Sequence, residues 1–252
     1  MFFKYLQNNL TPAALIQQFN NARSLTLQTF DYVTGYRLRS YSPFVVFPEF
    51  GIAFLAVPRA GSTSLEFSLL PLLGNGLNFQ SARYVHKFRH YMRSCKAGEV
   101  ATTYTNFFKF TFVRNPWTRL YSCYLTRVLN KPNRYFRHFK LDQSKNFEDF
   151  VARVCDIPDA YADPHFISQD YLLTYKGVFL PDQVYRFETY SRDFEAVRKI
   201  IEDRTRIKLY DIPHYYQMKS DEYVRAYTTK LVDRVEKRYR ADCIRFGYVY
   251  PG

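Results

Sequence analysis

The chain has 252 residues, which fits one large α/β domain with a substantial core better than two small domains. Hydrophobic residues make up 47% of it, including 24 Phe and 23 Tyr, and this composition excludes an intrinsically disordered chain. The formal net charge of +13 favours anionic partners, but nucleic acid, acidic polysaccharide, an anionic membrane and a polyphosphorylated cofactor would all satisfy it.

No segment predicts a membrane span or a secretion signal. The longest apolar run, residues 50–57, is far shorter than the ~20 residues that cross a bilayer. The N-terminal MFFKYLQNNL has one Lys but neither an extended apolar core nor a small-residue cleavage site. The four cysteines are widely spaced and form no CxxC pair, which argues against a zinc site and favours reduced thiols. We therefore expect a cytoplasmic protein without a bound metal.

The first elements in chain order are an N-terminal extension and two buried strands. Residues 1–45 are polar and aromatic, and predict an extension with a helix near residues 12–22, ahead of a principal domain at 46–252. The wholly apolar run 52–57 predicts a strand buried on both faces of a parallel sheet. Residues 107–113 predict a second such strand.

Helices are predicted behind both strands and along the rest of the chain. The first covers residues 62–70, and Asn115-Pro116 starts the second. After a basic loop at 130–146, Asn146 caps a short helix and Ser191 caps another. These two are separated by a third strand at 183–187, and a long final helix covers about 221–244.

This alternation of strands and helices predicts an α/β fold with a central parallel sheet. Ligands of such sheets bind at the carboxyl ends of the strands, so the two strand-to-helix turns are the candidate sites.

The first turn, VPRAGSTS, places a cation and three hydroxyls at the start of a helix, where free backbone N–H groups attract phosphate. It is not a Walker P-loop, because the cation precedes the glycine and no Lys precedes the hydroxyls. An ordinary turn with a Ser cap explains this segment equally well when it is taken alone.

The second turn lies in FTFVRNPWTRLYSCY. Arg114 leaves the strand at its carboxyl end, and Ser122 lies about two helical turns further on. Arg119, three residues before Ser122, is expected near the same polar side of the helix. An Arg and a Ser so arranged can hold one phosphate, although a solvated helix face is the simpler reading of this motif alone.

Together the two turns resemble the donor-binding motifs of the PAPS-dependent sulfotransferases (PAPS is 3′-phosphoadenosine-5′-phosphosulfate). The resemblance is to the carbohydrate, family 2-like group, which includes bacterial members and heparan and chondroitin O-sulfotransferases. PRAGSTS is similar to that family's 5′-phosphosulfate loop, and RNPWTRLYS to its 3′-phosphate motif, R-[DN]-P-x-x-R-L-x-S. VYRFETYSRDFEAV resembles its strand–Glu–helix segment, and VDRVEKRYRADCIRFGY its ending, V-x-x-x-Y-x-x-D-x-x-x-F-G-Y.

The resemblance covers about residues 50–248 and implies a single-domain, P-loop-like sulfotransferase fold. It implies that the 5′-phosphosulfate is held by Arg59, Ala60, Gly61, Ser62, Thr63 and Ser64, and the 3′-phosphate by Arg114 and Ser122. The family usually has Lys where this chain has Arg59, so we expect Arg59 to act electrostatically on the departing phosphate and not as a proton donor.

Transfer to a hydroxyl also needs a base, and histidine is best matched to neutral pH. His86 lies between the two donor motifs, where the resembling enzymes carry an essential histidine, and is the first candidate. His90, one turn later, and His165, in DPHFISQDYLL, are the alternatives. Glu66 and Glu188 are further candidates if their pKa is raised.

The predicted reaction is an in-line displacement that uses PAPS, releases PAP and requires no metal. The acceptor is expected to be a carbohydrate or a small metabolite such as a natural product, with no specific nucleic-acid partner. The sequence leaves the acceptor and the oligomeric state open.

Two other classes compete with this hypothesis. A P-loop kinase would need the GK[ST] lysine and a metal-organising Asp, and neither is evident. A noncatalytic polyanion-binding module would use the basic segments around residues 83–96 and 127–140.

Overall fold

The structure is a computed structural model that describes residues 43–74, 91–130, 136, 139–212 and 220–251. In this part of the chain a mixed five-stranded sheet is flanked by helices, which confirms the predicted α/β class. None of the described helices is both long and apolar enough to cross a bilayer. The predicted N-terminal helix and nearly all of the predicted extension lie outside the described residues and stay predictions.

The described strands form the central sheet and a small separate hairpin. They are Phe44–Phe47 (β1), Ile52–Phe54 (β2), Arg93–Cys95 (β3), Phe108–Val113 (β4), Thr174–Tyr175 (β5), Val178–Phe179 (β6) and Gln183–Arg186 (β7). The central sheet has the order β3-β1-β2-β4-β7, and β5 pairs with β6.

The described α-helices flank this sheet. They are Ser62–Ser68 (α1), Ala97–Thr102 (α2), Pro116–Tyr124 (α3), Phe147–Cys155 (α4), Gln169–Leu173 (α5), Tyr190–Thr205 (α6), Ser220–Ala226 (α7), Thr229–Arg238 (α8) and Arg240–Phe246 (α9). One π-helical turn, Leu125–Leu129, continues α3.

The three predicted strands are the parallel part of the sheet. Strand β4 lies between β2 and β7 and is parallel to both, with Phe54 opposite Phe110 and Val113 opposite Arg186. Strand β1 pairs antiparallel with β2, and β3 pairs antiparallel with β1; neither β1 nor β3 was predicted from the sequence. The predicted parallel arrangement therefore holds for the strands that carry the two candidate turns.

Large aromatic side chains fill the core around the parallel strands. Phe54 and Phe110 are fully buried and stack with their ring centroids 5.2 Å apart. Phe112 packs edge-on against Tyr190 of α6 at 5.0 Å, which holds α6 against the sheet. Fully burying one such ring contributes about 1.5–3 kcal/mol, so these contacts fix the sheet beneath the two turns.

One predicted helix cap was confirmed, and two other helix predictions were wrong. Asn146 caps α4, because its side chain accepts a hydrogen bond from the Asp149 amide. Ser191 is no cap, since α6 begins at Tyr190. The single final helix is instead three helices. The Thr228 side chain caps the start of α8 by accepting a hydrogen bond from the Leu231 amide. Tyr239, with φ −108° and ψ 28°, then separates α8 from α9.

Candidate active site

The two candidate turns meet at the carboxyl ends of β2 and β4. The chain after β2 stays attached to β4, because the Leu55 amide donates to the Phe110 carbonyl at 2.8 Å. The Thr111 hydroxyl donates back to the Leu55 carbonyl at 2.6 Å. Since β2 and β4 are parallel neighbours, the segments beginning at Pro58 and at Arg114 leave the same edge of the sheet side by side.

The first turn has an unusual backbone that brings it close to α6. Arg59 has φ 70° and Gly61 has φ 81°, a region that glycine tolerates and other residues adopt at a cost. The Tyr190 hydroxyl donates to the Gly61 carbonyl at 2.8 Å. A Cβ atom at position 61 would lie 2.6 Å from Cε2 of Tyr190, so only glycine fits here without displacing the ring.

Arg59 and Ser122 connect the two turns. Nη2 of Arg59 donates to the Ser122 hydroxyl at 2.6 Å. Arg114 reaches across as well, with Nη1 donating to the Arg59 carbonyl at 3.1 Å. Its Nε donates to the hydroxyl of Thr118 at 3.1 Å. The structure thus brings together three residues that were predicted to bind the 5′ and 3′ ends of the nucleotide. Arg59 and Ser122 are 63 positions apart in the sequence.

The site is strongly positive. Arg114 is 6% exposed, and its guanidinium lies 4.3 Å from the ring centroid of Phe187. Burial and the neighbouring charge of Arg59 lower the pKa of Arg114 to about 9, while Glu188 opposes this shift. Arg114 therefore remains charged at neutral pH in a buried position beside another cation. Such an arrangement favours binding of an anion, which would relieve the repulsion.

Ala60 is buried in the first turn, whereas Ser62, Thr63 and Ser64 are partly exposed where α1 begins. These hydroxyls follow Gly61 directly. The whole predicted 5′ segment thus lies at the same end of the sheet as Arg114 and Ser122.

Arg119 does not lie beside Ser122 as a phosphate ligand, contrary to the sequence-based expectation. Its side chain is 2% exposed, and its guanidinium donates to three backbone carbonyls. Nε binds the Pro58 carbonyl at 3.0 Å, Nη1 binds that of Ile167 at 2.6 Å and Nη2 binds that of Pro164 at 3.1 Å. Arg119 therefore joins the first turn to the segment 164–167, a role that only the folded chain reveals.

The Gln169 side chain binds the backbone of Arg114. Its amide oxygen accepts from the Arg114 amide at 2.8 Å, and its amide nitrogen donates to the Arg114 carbonyl at 2.7 Å. Asp242 in turn accepts from the backbone amides of Gln169 and Asp170 at 3.0 and 2.8 Å. Burial raises the pKa of Asp242 to about 6 despite these hydrogen bonds.

The chain ending that resembles the family pattern packs around this same turn. Both carboxylate oxygens of Glu188 accept hydrogen bonds, one from the Asn115 amide at 2.7 Å and one from the Tyr248 hydroxyl at 3.0 Å. Glu188 therefore holds the turn in place. Glu66 is also buried. Burial raises the pKa of Tyr190, and the charge of Glu66 raises it further.

A histidine, an aspartate and an arginine form a second group at the site. Nδ1 of His165 lies 2.6 Å from Oδ1 of Asp163, and Nε2 lies 2.8 Å from Nη2 of Arg127. Burial lowers the pKa of His165, Asp163 raises it, and the charges of Arg127 and Arg59 lower it. Neither Asp163 nor Arg127 was predicted from the sequence, although the spacing of Asp163 and His165 in DPHFISQ offered a signal.

The first-choice base, His86, and the alternative His90 lie outside the described residues, so their assignment stays a prediction. Within the described part of the chain, no group of three His, Cys, Asp or Glu side chains could hold a metal ion.

Comparison with known proteins adds one match. A family model described as the sulfotransferase family matches residues 42–249. No curated protein and no solved structure matches the chain.

Proposed function

The chain belongs to the sulfotransferase family, and we propose that it transfers a sulfuryl group from PAPS to the hydroxyl of an acceptor. The observation that carries the proposal is the hydrogen bond of 2.6 Å from Arg59 to Ser122. It makes one continuous cationic site from two motifs that resemble the 5′ and the 3′ binding segments. A donor with anionic groups at both ends of one nucleoside would contact both motifs.

The residues present suit such a donor. Arg114, buried and charged next to Arg59, offers a forked donor set to a phosphate. Ser122, which is 4% exposed, would contribute its hydroxyl to the same phosphate. The turn from Arg59 to Ser64 would hold the 5′ end, where Gly61 lets the backbone approach closely.

PAPS would supply an activated sulfuryl group whose leaving group is the 5′-phosphate of PAP. Arg59 would stabilise the negative charge that grows on that phosphate as the bond to sulfur breaks. Arg59 stays charged throughout and gives up no proton, because an arginine is not deprotonated under these conditions. Its contribution is therefore electrostatic.

The acceptor hydroxyl also needs a base, for which the sequence offers His86 first, with His90 and His165 as alternatives. The position of His86 between the two motifs is what supports it. We further propose a cytoplasmic enzyme with a carbohydrate or small-metabolite acceptor, which would agree with the family and with the positive net charge.

Thermal unfolding with added nucleotides tests the proposed donor. PAP without magnesium should raise the melting temperature, since a ligand that binds only the folded state adds RT ln(1 + [L]/Kd) to its stability. At 100 times Kd this amounts to about 2.7 kcal/mol. Stabilisation by ATP with magnesium, and not by PAP, would instead indicate the kinase. Stabilisation by neither nucleotide, together with binding of heparin, would indicate the polyanion-binding module.

A further inference from the structure

The hydrogen bonds of His165 define which ring nitrogen carries the proton. Nε2 lies 2.8 Å from Nη2 of Arg127, and a guanidinium can only donate. Nε2 must therefore be the acceptor, with an unprotonated lone pair. Nδ1 then carries the hydrogen and donates it to Oδ1 of Asp163 at 2.6 Å. A neutral histidine in this tautomer, oriented by a carboxylate, is ready to accept a proton at Nε2.

Asp163 orients both the backbone and the ring of His165. The His165 amide also donates to Oδ1 of Asp163, at 2.9 Å, so a single carboxylate oxygen orients both the backbone and the ring. The Asp163 side chain is 1% exposed, whereas that of His165 is 19% exposed. Asp163 is thus shielded from solvent, while a part of the His165 side chain remains exposed.

Arg119 places this histidine beside the candidate donor site. Its guanidinium binds the carbonyls of Pro164 and Ile167, on either side of His165, and also that of Pro58, which precedes Arg59. One buried side chain therefore ties the two segments together. The charge of Arg59 is close enough to contribute to the lowered pKa of His165.

We propose that His165, oriented by Asp163, is a catalytic base that removes the proton of the acceptor hydroxyl; this inference rests on the proposed sulfuryl transfer. The hydroxyl would donate to Nε2 in place of Arg127. As the acceptor oxygen forms its bond to sulfur, the O–H bond breaks and its proton moves to Nε2. The bond from sulfur to the 5′-phosphate oxygen breaks at the same time, and its electron pair stays on PAP. The imidazolium then releases the proton to solvent.

The ring's lowered pKa suits this role, because a histidine that is neutral at physiological pH can accept a proton without first losing one. A purely structural ion-pair chain from Arg127 through His165 to Asp163 would have the same resting geometry. The two interpretations differ in whether turnover needs the ring.

The first experiment uses NMR on the full-length protein with ¹⁵N-labelled histidine, with the His165 signals assigned from His165→Gln. We expect Nδ1 to be protonated and Nε2 to be unprotonated at neutral pH. Binding of PAP should raise the pKa of His165, because added phosphate charge offsets that of Arg59. Asp163→Asn should lower the pKa, because it removes the carboxylate charge. A pKa that does not respond to PAP would overturn the proposal.

The second experiment measures transfer of ³⁵S from PAPS to a panel of acceptors: heparosan, chondroitin and simple phenols. His165→Gln should lower turnover by about 10²–10⁴-fold, the usual contribution of a general base. Its Kd for PAP, measured by titration calorimetry, should change by less than about threefold, because the base contacts the acceptor. Tyr171→Phe, on an exposed side chain of α5, is the matched control and should keep turnover unchanged.

The outcomes separate this inference from the proposed function. If PAP fails to bind the wild-type protein, the donor assignment is wrong. If PAP binds but His165→Gln keeps its turnover while His86→Gln loses it, the base is His86 and the inference is wrong. If no member of the panel accepts sulfate, the NMR experiment still tests the inference, and a His165 pKa that does not respond to PAP overturns it.

Discussion

The side-chain amide of Gln169 binds both backbone polar groups of Arg114, accepting from its amide at 2.8 Å and donating to its carbonyl at 2.7 Å. Two hydrogen bonds from one planar group fix the backbone of Arg114, and with it the direction in which its guanidinium leaves the sheet. Asp242 of α9 accepts a hydrogen bond from the backbone amide of Gln169. The orientation of Arg114 therefore also depends on α9.

Gln169→Ala should therefore weaken PAP binding without removing any group that contacts PAP. Each buried hydrogen bond left unmade costs about 1–3 kcal/mol, so we expect a lower melting temperature and a Kd roughly tenfold higher. Titration calorimetry and thermal unfolding measure the two effects. Gln183→Ala, at an exposed position of β7, is the control. A destabilised variant with unchanged PAP affinity would show that Gln169 does not position Arg114.

Arg114→Ala removes the forked cation itself. We expect PAP affinity to fall by about 2–3 kcal/mol, or roughly 100-fold, because a buried phosphate loses a charged partner. Arg114→Lys should recover only part of this loss, since an ammonium cannot reproduce the planar fork. Arg192→Ala, a largely exposed arginine of α6, controls for net charge. Unchanged affinity in a folded Arg114→Ala variant would refute the 3′ assignment.

Arg59→Ala should separate binding from turnover. We expect most turnover to be lost with a smaller change in PAP affinity, because the cation acts mainly on charge that grows in the transition state. Arg59→Lys should keep or improve turnover. Since Lys and Ala would share the same φ of 70°, differences between them report on the side chain and not on backbone strain. Turnover in the Ala variant equal to that of the wild type would mean that Arg59 has no such role.

Gly61→Ala combines an unfavourable backbone with a steric clash. The new Cβ would meet the Tyr190 ring at 2.6 Å in a residue with φ 81°. Gly51 has a similar φ of 61° but nothing within 4 Å of its added Cβ, so Gly51→Ala measures the strain alone. We expect Gly51→Ala to cost about 1 kcal/mol of stability and to leave PAP affinity intact. Gly61→Ala should cost more and weaken PAP binding as well, by calorimetry. Equal effects would show that the contact with Tyr190 is dispensable.

The pH dependence of turnover tests the His165 base. Burial lowers the pKa of this ring below the ordinary 6.5; Asp163 opposes the shift, and the charges of Arg127 and Arg59 add to it. The value of kcat/KM, which reports the free enzyme, should therefore be constant at neutral pH and fall at a pH below 6.5, where the protonated ring can no longer accept. In Asp163→Asn this fall should move to still lower pH, because the carboxylate no longer favours the charged ring. An acidic limit that stays in place in Asp163→Asn would point to another group, such as His86.

That the turns carrying Arg59 and Arg114 lie at the carboxyl ends of parallel strands could be predicted from the sequence. Apolar runs before VPRAGSTS and RNPWTRLYS predict two buried parallel strands, and the carboxyl ends of neighbouring parallel strands lie at one edge of a sheet. Only the fold shows that β2 and β4 are neighbours and that Arg59 therefore reaches Ser122. The antiparallel β1 and β3 were missed because their short segments carry no comparable pattern.

Only the tertiary structure decided which group each polar side chain binds. Arg119 follows Arg114 in the same motif. Yet Arg119 binds three backbone carbonyls, whereas Arg114 lies at the candidate donor site. Asp163 was not assigned a role from the sequence, and Arg127 reaches His165 from 38 positions away. Hydrophobic periodicity determines which face of an element is buried, and it acts over a few residues. The partner of a buried charge is set instead by desolvation, which penalises every unpaired alternative, and that partner can come from any part of the chain.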